Sequence, residues 1–416
     1  MAERPQLVSV NFKKDMYITV EGKQDAGCFF ILRQGKVQLS KTTEVVKEAG
    51  SSLLGPGDFF GVVSSLSSHS HIETAQALTD VSLISVHRNH FEGLIQYNTS
   101  LAMKIILQFS QRLRYLNKAL TLLTLKHIIE EDGASQLFKI GEYYYKKTLY
   151  PQAYYGYQQY LTYYPKGEYV ERAQERRVKL APYGQLTIDG AGETEFNRTY
   201  AKESILFAEG EPGAELFIIQ SGAVKIIKIV DDAEVILAVL KKGDIFGEMA
   251  LLESKPRSAS AIAYEDCTVT TVKKANFEGF TASQPQIIAR LTQLLAERIW
   301  FIHKQLANTL IQDPVGRMYD GMLMHLEKNR VALEPKTGYT FSFGPQELAN
   351  MVGIPPEEAP KFIDNILENQ KIQVVDNKIR IMDVTEALKQ SEYYRKMQQR
   401  ENARRESARS MPGSLR

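Results

Sequence analysis

The chain has 416 residues and carries 51 Lys and Arg against 49 Asp and Glu, so its net charge of +2 gives no global attraction to nucleic acid or a membrane surface. Hydrophobic residues make up 44% and charged residues 24%, an ordinary globular balance that argues against a disordered, collagen-like or membrane-embedded protein. Two cysteines, Cys28 and Cys267, form no disulfide framework and share no metal-ligand spacing. MAERPQLVSVNFKKD at the start has no apolar signal core, and no run approaches a membrane span. The expectation is a soluble, cytoplasmic protein of about three domains, without a metal.

An internal repeat organises the chain. FGVVSSLSSHSHIETAQA from Phe60 lies over FGEMALLESKPRSASAIA from Phe246 without a gap, at a shift of 186 residues. The shift holds through QRLRYLNKAL (111–120) against ERIWFIHKQL (297–306). Upstream, GPGDFFG (55–61) matches KKGDIFG (241–247), and FFILRQGKVQL (29–39) matches LFIIQSGAVKI (216–226) after a one-residue slip. A repeat of about 100 residues is a duplicated domain, not a solenoid unit.

The first copy is expected over 1–128, as short β-branched runs with Gly turns followed by a helix from Leu101 to Thr124. A helical unit is expected over 129–185. Ten of the 21 tyrosines fall between Tyr143 and Tyr164. Ile140, Gly141, Tyr144, Ala153, Tyr157 and Pro165 have the spacing of one tetratricopeptide repeat, with Gly141 and Ala153 placed where two antiparallel helices approach. A Tyr-rich face over 134–180 suits a protein contact, and it equally suits packing against the neighbouring barrels. The second copy, 190–310, repeats the β-rich pattern and ends in an amphipathic helix from Ile287 to Thr309.

Within the second copy, GDIFGEMALLESKPRSASA (243–261) carries the chemistry. Gly243-Asp244 makes a turn, and Gly247-Glu248-Met249-Ala250 can start a short helix whose free N–H groups favour an anion. Arg257 adds a guanidinium that matches phosphate oxygens, Glu248 can accept from a hydroxyl, and Ser258, Ala259 and Ser260 leave room. The set suits a phosphate with a neighbouring hydroxyl, although a plain Glu–Arg surface pair has the same spacing. These residues resemble the phosphate-binding cassette of cyclic-nucleotide-binding domains, as found in the bacterial catabolite activator, with Gly210, Phe217, Gly222, Gly243 and Asp244 in supporting places. The resemblance implies that Arg257 holds the cyclic phosphate and Glu248 the ribose 2′-OH. Gly247, Glu248 and Ala250 would add their amides, with Met249, Ser258 and Ala259 completing the site. It points to cAMP as regulatory ligand, with cGMP open.

The first copy lacks this chemistry. Val62 stands in the place of Glu248, His71 in that of Arg257 and Glu73 in that of Ala259. Val62 offers no acceptor, and a histidine near its ordinary pKa is mostly neutral at pH 7. The pair His69 and His71 reads as a metal or altered-ligand site or as a solvated loop, and a degenerate site is expected. The two long helices would pair either within the chain, as a pseudo-dimer, or between two chains.

Residues 311–390 read as a helix opened by Asp313-Pro314, a helix Gln346–Val352, a turn at Gly353, a helix from Pro356 to Asn369, and a hairpin around Asp376-Asn377. The layout resembles the winged helix-turn-helix of the catabolite-activator family, which implies DNA binding. Its reading helix departs from the pattern. Pro356 stands where the first basic residue belongs, Glu357 and Lys361 remain as candidate base or phosphate contacts, and Glu358, Asp364 and Glu368 repel phosphates. The tail, 391–416, carries seven Lys and Arg between Arg395 and Arg416 and reads as solvated or as an acidic-partner contact. No P-loop, kinase, zincin or Gly-x-Ser-x-Gly motif is present, so the ligand is expected to be sensed, not turned over. The sequence therefore fits an α+β sensor of two β-rolls, each ending in a long helix, with a helical-hairpin insertion and a winged helix. It would act through protein contacts or as a cAMP-responsive DNA-binding regulator.

Overall fold

A computed structural model describes residues 8–24, 26–41, 52–124, 133–186, 197–230 and 233–410. The junction expected at 128/129, the start expected at 190 and tail residues 411–416 lie outside them. The first copy comprises β1 (Val8–Phe12), β2 (Tyr17–Thr19), β3 (Cys28–Gln34), β4 (Val37–Ser40), β5 (Leu53–Leu54), β6 (Phe59–Phe60), α1 (Val62–Ser67), β7 (Thr74–Ala77), β8 (Val81–His87), α2 (Phe91–Tyr97) and α3 (Thr99–Thr124). The insertion is α4 (Gly133–Lys146), α5 (Tyr150–Tyr163) and α6 (Val170–Lys179). The second copy comprises β9 (Asn197–Tyr200), β10 (Ile205–Phe207), β11 (Glu215–Ser221), β12 (Ala223–Val230), β13 (Ala233–Lys241), β14 (Ile245–Phe246), α7 (Glu248–Glu253), β15 (Ser260–Ala263), β16 (Cys267–Lys273), α8 (Lys274–Ser283) and α9 (Pro285–Thr309). The C-terminal part is α10 (Pro314–Lys328), β17 (Tyr339–Thr340), α11 (Pro345–Met351), α12 (Ala359–Leu367), β18 (Ile372–Val375), β19 (Lys378–Ile381) and α13 (Thr385–Ser410).

Each copy folds two four-stranded antiparallel sheets into a roll. Their orders are β1-β8-β3-β6 and β2-β7-β4-β5 in the first, and β9-β16-β11-β14 and β10-β15-β12-β13 in the second, so the topology is duplicated strand for strand. The register repeats too: Phe30 faces Phe60 as Phe217 faces Phe246.

The long helices α3 and α9 pack on each other within the chain, the pseudo-dimer alternative. Each also crosses to the other copy, α9 onto α1 and α3 onto α7. One buried cluster therefore joins both copies, from Phe29, Val62 and Leu113 to Met249, Leu295 and Trp300. Polar pairs fix the crossing. The Trp300 indole donates to the Ser70 carbonyl at 3.2 Å, and Glu253 accepts from Ser110 at 2.9 Å and from Arg114 at 3.0 Å. Among the described residues no helix is long and apolar enough to cross a membrane.

In the insertion, α4 and α5 approach closely where glycines face each other. A Cβ on Gly156 would lie 2.8 Å from the Gly141 nitrogen, so the small residue opposite Gly141 is Gly156 and not the expected Ala153, which is fully buried on the same helix. The tyrosines are divided. Tyr144, Tyr155, Tyr157 and Tyr160 are buried in a core shared with Ile205, Ala208, Ile227 and Ile262 of the second copy, whereas Tyr163 is 41% exposed.

The C-terminal helices surround a three-stranded sheet, β17-β19-β18. Asp376 and Asn377 both take positive φ, 51° and 58°, as a two-residue hairpin of this twist requires. The helix expected from Pro356 begins only at Ala359, because Pro360 has no amide hydrogen to donate back to Pro356, a bond that an earlier start would need. The boundary expected at 390/391 falls inside α13. Ser391 donates to the buried Asp320 at 2.7 Å and Arg395 at 2.9 Å, so the first turns of the expected tail pack on α10 as helix.

Candidate functional site

Gly247 builds the site. It caps α7 at φ 77°, in the left-handed region, and a Cβ there would lie 2.7 Å from Arg257 Nη1, so glycine is needed for both the turn and the close approach. Arg257 donates from Nη1 to the Gly247 carbonyl at 2.6 Å, and its guanidinium lies over Phe207, 4.2 Å from the ring centre. It is only 6% exposed, and its Nε is buried without a protein partner among the described residues. Burial pulls its pKa below the usual arginine value, opposed by the carboxylates of Glu211, Glu248 and Glu215. A buried guanidinium with an unused donor is a strong attractor for an anion.

Glu248 opens α7 at 2% exposure and accepts from Arg298 of α9 at 3.0 Å; Arg298 also donates to the Ile245 carbonyl. This ion pair neutralises Glu248, so the carboxylate can stand near a phosphate without net repulsion. Met249, Ala250 and Ala259 are buried beside them, and Ser258 lies 4.0 Å from the Met249 sulfur. The structure thus brings Gly247, Glu248, Met249, Ala250, Arg257, Ser258 and Ala259 together.

The first copy keeps the backbone and loses the side chains. Gly61 caps α1 at φ 76°, matching Gly247, and Ser68 matches Ser254 at φ 58° and 53°. Val62 is 3% exposed and belongs to the core under α9, so packing has taken the place of Glu248. His69 stacks on Trp300 at 3.9 Å and is held near pKa 4, chiefly by burial. His71 lines a groove of about 320 Å³ with Ser70, Ile72, Lys304 and Arg395. Arg112, the repeat equivalent of Arg298, pairs instead with Glu73 at 3.3 Å. Among the described residues no group of three or more His, Cys, Asp or Glu could hold a metal.

In the C-terminal part, Glu357, Glu358, Lys361, Asp364 and Glu368 are all exposed, with Glu357 and Glu358 in the turn ahead of α12. Lys361 lies over its neighbour Phe362.

One carboxylate stands outside the sequence-derived set. Glu211 is 6% exposed in the loop between β10 and β11. Tyr155 of α5 is buried beside it, and its hydroxyl helps hold the Glu211 carboxyl down against burial. Sequence holds one signal for it: at the matching place in the first copy, EGK (21–23) against EGE (209–211), the residue is Lys23.

Comparison with known proteins places both copies in one domain family. The cyclic nucleotide-binding domain family matches residues 9–98 and 197–284. The CRP-like cAMP-activated global transcriptional regulator of Mycobacterium tuberculosis is 27% identical over 179 residues, 43% of this chain and 80% of that protein. The cAMP-activated global transcriptional regulator CRP of Pasteurella multocida is 30% identical over 175 residues, 42% of this chain and 83% of that protein. This chain belongs to the CRP family. Among solved structures, a CooA variant from Carboxydothermus hydrogenoformans matches 47% of this chain and 88% of its own at 18% identity, with a TM-score of 0.40. Relative to the CRP proteins of about half its length, this CRP-family chain carries a second copy of the domain and the insertion α4–α6.

Proposed function

We propose that the chain is a non-enzymatic cyclic-nucleotide sensor. Its second copy takes the ligand, cAMP in preference to cGMP, and a C-terminal effector answers through protein contacts. The observation that carries the reading is Arg257: a buried guanidinium against a left-handed glycine cap, with Glu248 one residue into the helix and neutralised by Arg298. Arg257 would hold the phosphate, Glu248 would accept from the ribose hydroxyl, and Gly247, Met249, Ala250, Ser258 and Ala259 would shape the cradle. The first copy, with Val62 and His71, serves as the packing partner.

Arg298 offers a route outward, because a ligand that changes the hold on Glu248 also changes the packing of α9. At its far end, Asn308 donates to the Arg317 carbonyl and to Asp320 at 2.9 Å each, and Lys304 pairs with Glu327 at 3.0 Å. A shift of α9 is thereby felt by α10, to the extent that the ligand prefers one state. The exposed effector surfaces are the tetratricopeptide-like α4–α6 and the winged-helix-like α10–β19.

A second reading is a cAMP-responsive DNA-binding regulator, favoured by the naming of the relatives as transcriptional regulators. Four exposed carboxylates against Lys361 on the reading segment speak for protein. Trp300 is the chain's one tryptophan and is buried on α9, so its emission should change on titration with cAMP. Duplex DNA retention at physiological salt, with and without cAMP, then separates the readings. Retention that cAMP strengthens favours the transcription regulator, and none favours protein contacts.

A further inference from the structure

The insertion reaches the same point as the nucleotide chemistry. The loop carrying Glu211 pairs with the Arg257 segment by two backbone bonds: the Gly210 amide donates to the Arg257 carbonyl at 3.0 Å, and the Arg257 amide donates to the Glu211 carbonyl at 2.8 Å. α5 grips the other side of this loop. Tyr164 donates to the Gly210 carbonyl at 3.2 Å, and the buried Tyr155 lies beside Glu211. The backbones touch as well, since a Cβ on Gly210 would lie 2.6 Å from the Gly133 carbonyl.

The first copy has the same pair of backbone bonds, Gly22 to the His71 carbonyl at 2.8 Å and His71 to the Lys23 carbonyl at 2.9 Å. There the side chains are Lys23, which is exposed, and His71. A buried carboxylate opposite a buried guanidinium is therefore peculiar to the copy that the insertion covers.

We propose that Glu211 and Tyr155 belong to the anion subsite: Glu211 is the resident counter-ion of Arg257, an incoming phosphate takes over that role, and Tyr155 passes the change to the inserted helices. This rests on the reading of Arg257 as the phosphate ligand.

Charge balance carries the argument. Glu211 and Arg257 are each 6% exposed, and a buried charge must be matched. A phosphate added to the pair leaves one buried negative charge in excess, and uptake of a proton by Glu211 restores the balance. The carboxyl is already raised to about 7, chiefly by burial, against the Ala208 amide, the Tyr155 hydroxyl and Arg257, which lower it. Tyr155 and Tyr163 face it from α5, and Glu215 and the Arg298-paired Glu248 act on the same Arg257. Once a phosphate occupies Arg257, the carboxyl is pushed higher still. Binding then takes up a proton wherever the free carboxylate is ionised, so affinity is level at low pH and falls as pH rises through about 7.

The test is isothermal titration of cAMP into the full-length chain between pH 6 and 8.5, in two buffers of different ionisation enthalpy to count protons. The wild type should lose affinity several-fold to about tenfold across that range, with net proton uptake near neutrality. Glu211→Gln should make the profile flat. Tyr155→Phe should keep the slope and move it to higher pH, because the hydroxyl that lowers the Glu211 carboxyl is gone. Hydrogen exchange over α5 should respond to cAMP in the wild type and less in Tyr155→Phe. A flat wild-type profile without proton uptake overturns the inference, as does a slope that Glu211→Gln leaves intact. Absence of cAMP binding at every pH would instead remove the reading on which it rests.

Discussion

At Gly61 and Gly247 the chain makes the same turn, with φ of 76° and 77°, and two helices of six residues follow. In the second copy this turn stands with Glu248, Arg257 and Glu211. In the first it meets Val62, His71 and Lys23. The backbone of a phosphate cassette is held by its glycine and by strand pairing, and these do not depend on the ligand. Side chains released from binding can be taken into packing. Val62 and Val63 joined the core under α9, and His69 became a stacking partner for Trp300. What the first copy lost in chemistry it gained as an interface.

The comparison breaks most sharply at Arg257. Arg257→Ala should cost roughly 3–5 kcal/mol of cyclic-nucleotide binding, a loss of about 10² to 10³-fold or more in affinity by titration. Trp300→Ala tests the first copy's new role. Removing an indole at 1% exposure from the joint core should destabilise the chain by about 3–5 kcal/mol in urea unfolding. Trp300→Phe should cost less. Glu253→Gln leaves Arg114 facing a neutral amide, and about 1–3 kcal/mol is expected in the same assay.

A smaller effect is pH-dependent. His69 titrates near 4 in the fold, below its ordinary value of 6.5, so the unfolded chain binds more protons between those limits. Stability should therefore fall as pH drops from 6.5 toward 4, and His69→Phe should flatten part of that slope. His71→Ala should leave cyclic-nucleotide affinity unchanged, and a matching loss there would make the first copy a working site.

Much of this was legible in the sequence because it is local or repeated. The 186-residue shift aligned both turns, helical periodicity found α3 and α9, and Asp376-Asn377 marked the hairpin. What escaped depends on contacts between distant segments. Nothing local to Tyr155 predicts that α5 brings it beside Glu211, and Gly156 opposes Gly141 only once the helices have docked. The late start of α12 follows from its prolines, and the helix through 391–410 begins with the pull of Asp320 on Ser391 and Arg395.

The central claim is one working cassette beside one that retains only its shape. Titration of cAMP into the full-length chain and into Arg257→Ala tests it most directly. One equivalent per chain in the wild type, with heat lost in the variant, is the predicted result. Two equivalents, or binding that survives the loss of Arg257, would contradict it.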